Sequence, residues 1–94
     1  VIVRLRAFGE LEAMFDGERP SIVLPDDATL GALLNSVDER WGERLAPVWW
    51  DRTARRFRGP VVILAGGRDV HDPATRLCDG QEVLLVPVVS GGSQ

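Results

Sequence analysis

The 94-residue sequence has no lysine, one cysteine and one histidine, and each shortage removes a class of function. All eleven basic residues are arginine, so the folded domain offers no ε-amine and cannot serve as a side-chain amide acceptor. Cys78 alone cannot form an internal disulfide, nor a Cys-rich zinc or iron–sulfur site within one chain. His71 alone leaves no Cys/His cluster, so no metal site is expected. Single-cysteine usage fits a reducing cytosol. No stretch approaches the roughly 20 apolar residues of a membrane span. Arg4 and Arg6 interrupt the opening apolar run and argue against a signal peptide; Val1 in place of Met suggests a trimmed or renumbered start. A net charge of −3 and a pI near 5.0 argue against nucleic acid, which wants a concentrated basic face. Arg52, Arg55, Arg56 and Arg58 do cluster near two tryptophans, but a solvated turn explains them without an RNA or phosphate ligand.

What is present is one ordinary globular domain, 45% hydrophobic and 27% charged. Val1, Val3, Leu5 and Ala7 alternate with Arg4 and Arg6, which predicts a strand with one buried face. Gly9 to Arg19 carries Leu11, Met14 and Phe15 and fits a short helical turn or a loop. Ser21 to Leu24, between Pro20 and Pro25, predicts a second strand paired antiparallel to the first. Asp26, Asp27 and Thr29 are candidate N-caps for a helix whose stripe is Leu30, Leu33, Leu34, Val37 and Trp41, with Gly42 as its stop.

Glu43 to Pro60 reads as a small hairpin or an irregular arm. Val61 to Ala65 is a continuous apolar run, expected to be a strand buried on both faces, and Gly66-Gly67 turns it. Arg68 to Asp79 is a loop or helical turn, and Glu82 to Val89 is the last strand. Strand, strand, helix, irregular middle, strand, strand, with apolar first and last strands as central neighbours, is an α+β β-grasp topology. It implies a mixed sheet of four to five strands with one main helix packed across it. The domain is expected over residues 1–89, and residues 90–94 have nothing to bury and form a flexible tail.

No self-contained active site is legible. Ser21, Ser36, Ser90 or Ser93 with His71 gives no supported triad, so no catalytic residue is expected. His71 reads as an exposed loop histidine and Cys78 as a small half-buried hydrophobe, with a partner-exchanging thiol as the lesser reading. Gly66-Gly67 lacks the Walker and dinucleotide spacings. Trp49 and Trp50 read equally as core or as an exposed docking patch, with Phe57 beside them as a candidate third member.

The run from Val61 to Val70, the Leu77-Cys78-Asp79-Gly80-Gln81-Glu82-Val83 turn into a strand, and the Val86-Pro87-Val88-Val89-Ser90-Gly91-Gly92 ending carry a strong likeness. Together with the Val- and Arg-rich first strand and Thr29 to Leu34, they resemble the ThiS/MoaD family of ubiquitin-like sulfur carriers. The stretch Glu43–Pro60 is similar to the insert of longer members.

The resemblance implies that the chain is a co-substrate rather than an enzyme. Its terminal glycine carboxylate, here Gly92 preceded by Gly91 and Ser90, would be adenylated by an E1-like partner that uses ATP. A sulfur donor would then displace AMP, and the thiocarboxylate would pass sulfur to a biosynthetic enzyme, of the molybdopterin or thiamine type. No cofactor would be bound by the chain itself. Ser93 and Gln94 depart from the family's usual ending, and the resemblance implies their removal, by a JAMM-type metalloprotease in some relatives. A protein modifier conjugated through Gly92 to lysines of other proteins, and a binding module without tail chemistry, are the alternatives. Either way a cytoplasmic protein with no membrane and no nucleic-acid partner is expected.

Overall fold

The computed structural model describes residues 1–15, 19–45, 47–58 and 61–88. A five-stranded mixed sheet contains β1 (Ile2–Ala7), β2 (Ser21–Val23), β5 (Val61–Ala65), β6 (Arg68–Asp69) and β7 (Glu82–Pro87). Its order is β2-β1-β7-β5-β6, so the first and last strands are central neighbours as the apolar pattern requires. β1 pairs antiparallel with β2 and parallel with β7, while β5 pairs antiparallel with β7 and β6. Two short helices of unequal weight, α1 (Glu10–Met14) and α2 (Leu30–Trp41), and a separate two-stranded ribbon of β3 (Trp50–Asp51) and β4 (Arg56–Phe57) complete it. This is the β-grasp arrangement.

The period-2 pattern of β1 puts Val3, Leu5 and Ala7 into the core with Ile63, Ala65, Val83 and Leu85. The stripe Leu30, Leu33, Leu34, Val37 and Trp41 of α2 meets them in one cluster. Each such side chain contributes roughly 1.5–3 kcal/mol by transfer, whereas a good N-cap contributes about 1 kcal/mol. Burial of the stripe therefore decides that this 12-residue segment is helical; alone in water it would be marginal.

The start of α2 has full hydrogen-bond satisfaction. Thr29 is the N-cap, its Oγ1 accepting the Ala32 N–H at 3.3 Å and its carbonyl accepting the Leu33 N–H at 3.1 Å. The Leu30 and Gly31 N–H groups donate to the carbonyls of Thr75 and Pro73 at 2.8 and 2.9 Å. The segment between β6 and β7 thus forms an extended loop that closes the helix N-terminus.

Gly42 ends α2 as the sequence predicts, in a right-handed conformation (φ −53°, ψ −37°). Glycine is needed there because a Cβ would lie 2.5 Å from the Asp38 carbonyl oxygen and 2.6 Å from its Oδ1. The β5 run is not buried on both faces. Ile63 and Ala65 are buried, but Val62 and Leu64 are half-buried, because α2 covers only one side of the sheet. Cys78 is exposed rather than half-buried; its backbone N–H donates to Gln81 Oε1 in the turn before β7. The domain boundary expected at residue 89 and the tail 90–94 lie outside the described residues.

Candidate functional site

The central strand β7 leads to the diglycine segment, so its end defines where that segment starts. The strand is held on both sides, by Ala7↔Leu85 in the parallel ladder and by Val61↔Pro87 in the antiparallel one. Phe8 N–H extends the first ladder by donating to the Leu85 carbonyl at 3.0 Å. Gly9 then turns away at φ +58°, where a Cβ would sit 3.0 Å from Pro87 Cγ. That close approach needs glycine. The candidate residues Ser90, Gly91, Gly92, Ser93 and Gln94 lie outside the described residues.

Two apolar surfaces flank the strand end. A cavity of about 300 Å³ is lined by Phe8, Gly9, Glu10, Trp49, Val86 and Pro87. Beside it lies the sheet face that α2 leaves open. Alternation puts Val62, Leu64, Leu84 and Val86 on that face, all half-buried, with Leu84 opposite both Leu64 and Arg6. The Arg6 guanidinium lies over the Phe8 ring, 4.9 Å from its centroid, and places a cation at the margin of the apolar patch.

The aromatic candidates divide. Trp50 is 1% exposed and packs edge-to-face on the buried Phe57 with centroids 4.7 Å apart. Its indole N–H donates to Asp38 Oδ1 of α2 at 2.9 Å. Trp50 and Phe57 both belong to the core cluster. The β3–β4 ribbon folds back on α2, and the buried indole N–H takes a carboxylate partner there. Only Trp49 remains partly open, in the cavity at the strand end.

The Asp38 carboxyl is held below the usual aspartate range, first by the Trp50 hydrogen bond and then by Arg52 and Arg55. The arginine cluster is thereby explained in part as structure. The Nε atoms of Arg52 and Arg55 lie 3.4 and 3.8 Å from the Asp38 carboxylate oxygens, and Arg58 Nε donates to the Pro47 carbonyl at 2.6 Å. Asp51 is also held low, mainly by the backbone N–H of Ala54 and also by that of Thr53. His71 is an exposed loop residue as expected, with Nδ1 3.3 Å from Asp69 Oδ1.

Sequence reasoning missed Phe8, Val62, Leu64, Leu84 and Val86 as surface candidates. For Val62, Leu64, Leu84 and Val86 the signal is the absence of polar alternation in β5 and β7, and in β5 that run reads equally as burial on both faces. Among the described residues no group of His, Cys, Asp and Glu is arranged to hold a metal ion, and no helix is long and apolar enough to cross a membrane.

Comparison with known proteins gives the family. Sequence comparison with curated proteins finds no match. Among solved structures the chain is similar to SAMP1 from Haloferax volcanii, with a TM-score of 0.79 and 21% identity over 98% of this chain and 100% of that one. It is similar to the Haloferax volcanii HVO 2177 protein, with a TM-score of 0.72 and 26% identity over 97% and 86%. It is similar also to a protein–protein complex of subunits 1 and 2 of molybdopterin-converting factor from Helicobacter pylori, with a TM-score of 0.64 and 22% identity over 98% and 100%. The ThiS family model matches residues 6–92. With nearly the whole chain matched and the β-grasp fold in place, this protein belongs to the ThiS family of ubiquitin-like sulfur carriers.

Proposed function

We propose that this protein carries sulfur on the Gly92 carboxylate, once Ser93 and Gln94 have been removed. The observation that carries the reading is the extent of the family match, which runs to the second glycine and ends there, two residues before the end of the chain. A peptide bond cannot be adenylated as a carboxylate can, so hydrolysis of the Gly92–Ser93 bond comes first; a JAMM-type metalloprotease suits that step. The freed carboxylate attacks the α-phosphate of ATP in the site of an E1-like partner, releasing pyrophosphate. A sulfur donor then displaces AMP at the carbonyl and leaves a thiocarboxylate for a sulfur-accepting enzyme that makes a cofactor or sulfur-containing metabolite.

The chain binds no cofactor in this reading; ATP belongs to the partner, and the setting is cytoplasmic. Its own contribution is rigidity, docking and reach. β7, paired on both sides, anchors the tail, and the open face with the Phe8–Trp49 cavity offers apolar surface around its root. Four residues from Val88 to Gly92 span at most about 13–14 Å. Glycines have no side chains to obstruct a narrow nucleotide site and adopt whatever φ it imposes. The Helicobacter pylori relative is recorded with a partner subunit, which agrees with a protein that works docked.

A second reading, conjugation through Gly92 to lysines of other proteins, shares the activation step. Its motive is the fold likeness to a small archaeal modifier protein of Haloferax volcanii. The test is incubation of the full chain with an activating enzyme, ATP, a sulfur donor and the protease, followed by intact mass measurement. Loss of Ser93-Gln94 and then an oxygen-to-sulfur mass change support the carrier. Adducts on other proteins support the modifier. No ATP-dependent change at the tail, with competent enzymes present, leaves a binding module and overturns both.

A further inference from the structure

A cavity of about 190 Å³ opens between the first half of α2, the end of β4 and the β5–β6 edge of the sheet. Its walls are apolar and include Leu30, Leu34, Phe57 and Ile63. At its rim stand Arg56, Arg58 and His71. Among the described residues no aspartate or glutamate lines it, although the chain has fourteen acids against eleven arginines. Asp69 pairs with His71 and lies outside the lining. All three rim residues are exposed, so the guanidinium groups of Arg56 and Arg58 stay hydrated. The walls face the helix side of the sheet, away from the open face described above.

We infer that this cavity docks an extended acidic segment of a partner protein, which inserts one apolar side chain and sets flanking carboxylates against Arg56 and Arg58. Size favours a single side chain: pockets that bury a whole small-molecule ligand run to roughly 300–1,000 Å³. Charge favours acidic flanks, since Arg56 and Arg58 bring two guanidinium groups to the rim and Asp51 offsets them with one carboxylate. Exposure of the rim favours carboxylates read at the surface over an anion buried in the cavity. Position favours an extended segment, because β6 is the terminal strand of the sheet and both its residues are exposed. Arg58 is held in place by its bond to the Pro47 carbonyl, so part of the rim is fixed before any partner arrives. The inference is independent of the tail chemistry, since the cavity lies on the helix side of the sheet and the open face takes no part.

The test uses the full chain, isotopically labelled for NMR, titrated with a capped peptide bearing one phenylalanine between pairs of aspartates. Saturable shifts are expected at the amides of Phe57, Ile63 and Val70, with binding that weakens as salt rises. Arg56→Glu is expected to weaken binding by roughly fivefold while leaving the spectrum otherwise native, and Arg19→Glu, away from the cavity, to change nothing. Replacing the phenylalanine by serine should abolish saturation. The inference is overturned if the peptide does not saturate at millimolar concentration, or if lysine-flanked peptide binds equally well. It is overturned too if the shifts map to Leu64, Leu84 and Val86, or if phenylacetate alone occupies the cavity as tightly as the peptide.

Discussion

The Asp38 carboxylate accepts the Trp50 indole N–H at 2.9 Å and has the guanidinium groups of Arg52 and Arg55 within 4 Å, tying the β3–β4 ribbon to α2. Its folded pKa lies below the ordinary 3.8. A depressed carboxylate contributes stability that is complete above the unfolded value and is lost as the pH falls through the folded one. The expected outcome is therefore a melting temperature that declines in acid more steeply in the native chain than in Asp38→Ala, with the variant less stable at neutral pH. Thermal melts followed by tryptophan fluorescence from about pH 7 to about pH 2 check this. Asp38→Asn keeps an acceptor for the indole and should fall between the two at neutral pH. At the same scale, Trp50→Ala removes a side chain that is 1% exposed and should cost about 3–5 kcal/mol in denaturant unfolding. Only the polarity of Asp38 was legible in the sequence. Its partners lie twelve to seventeen residues away on a ribbon whose direction is set by packing against the helix.

The β5–β6 hairpin turns through Gly66 and Gly67 at φ +61° and +78°, the two positive values that a type I′ turn requires. Nothing lies within 4 Å of a Cβ built on Gly67, so its replacement meets no clash and isolates the backbone cost. Gly67→Ala should destabilise the protein by about 1–2 kcal/mol, and Gly67→Asn by less, measured by urea unfolding. β7 differs because its two faces do different work. Val83 and Leu85 are in the core, whereas Leu84 and Val86 are half-buried on the open face. Leu84→Glu should preserve the far-ultraviolet spectrum and lower adenylation by the partner at least tenfold, since truncating or charging a central apolar anchor removes most of its contact energy. Unchanged adenylation kinetics would exclude the open face as the docking surface. Alternating apolar and polar residues made β1 legible, but continuous apolar runs left β5 and β7 ambiguous. A run of that kind reads the same whether its second face is covered by its own chain or kept for a partner.

On the scale of the whole molecule, a rigid β-grasp body and the diglycine segment have separable demands. Gly92→Ala should leave the melting temperature unchanged and should strongly impair activation, read as ATP-dependent mass change. A chain ending at Gly92 should be activated without protease, and one retaining Ser93 and Gln94 should not be activated until cleaved. Equal activation of the two forms would remove the maturation step from the account. The body itself brings the ends of β1 and β7 side by side in parallel, which puts Phe8 and Gly9 beside the end of β7 although they are nearly eighty residues from it in sequence. Their role at the strand end could not be read from local pattern.

The amino-acid order by itself determined the α2 stripe, the burial of one face of β1, the pairing of β1 with β2, the central place of β7 and the family likeness that ends in Gly91-Gly92. These follow from periods of 3.6 and 2 and from local motifs, which a chain carries with it whatever it packs against. Only the tertiary structure decided that Trp50 and Phe57 lie inside while Trp49 stays at the strand end, and that Cys78 is exposed. It alone also gathered Arg56, Arg58 and His71 around an apolar cavity. Burial is settled by which surfaces meet after the chain has folded, and a single helix lying on one side of a five-stranded sheet leaves the other side for something else to cover.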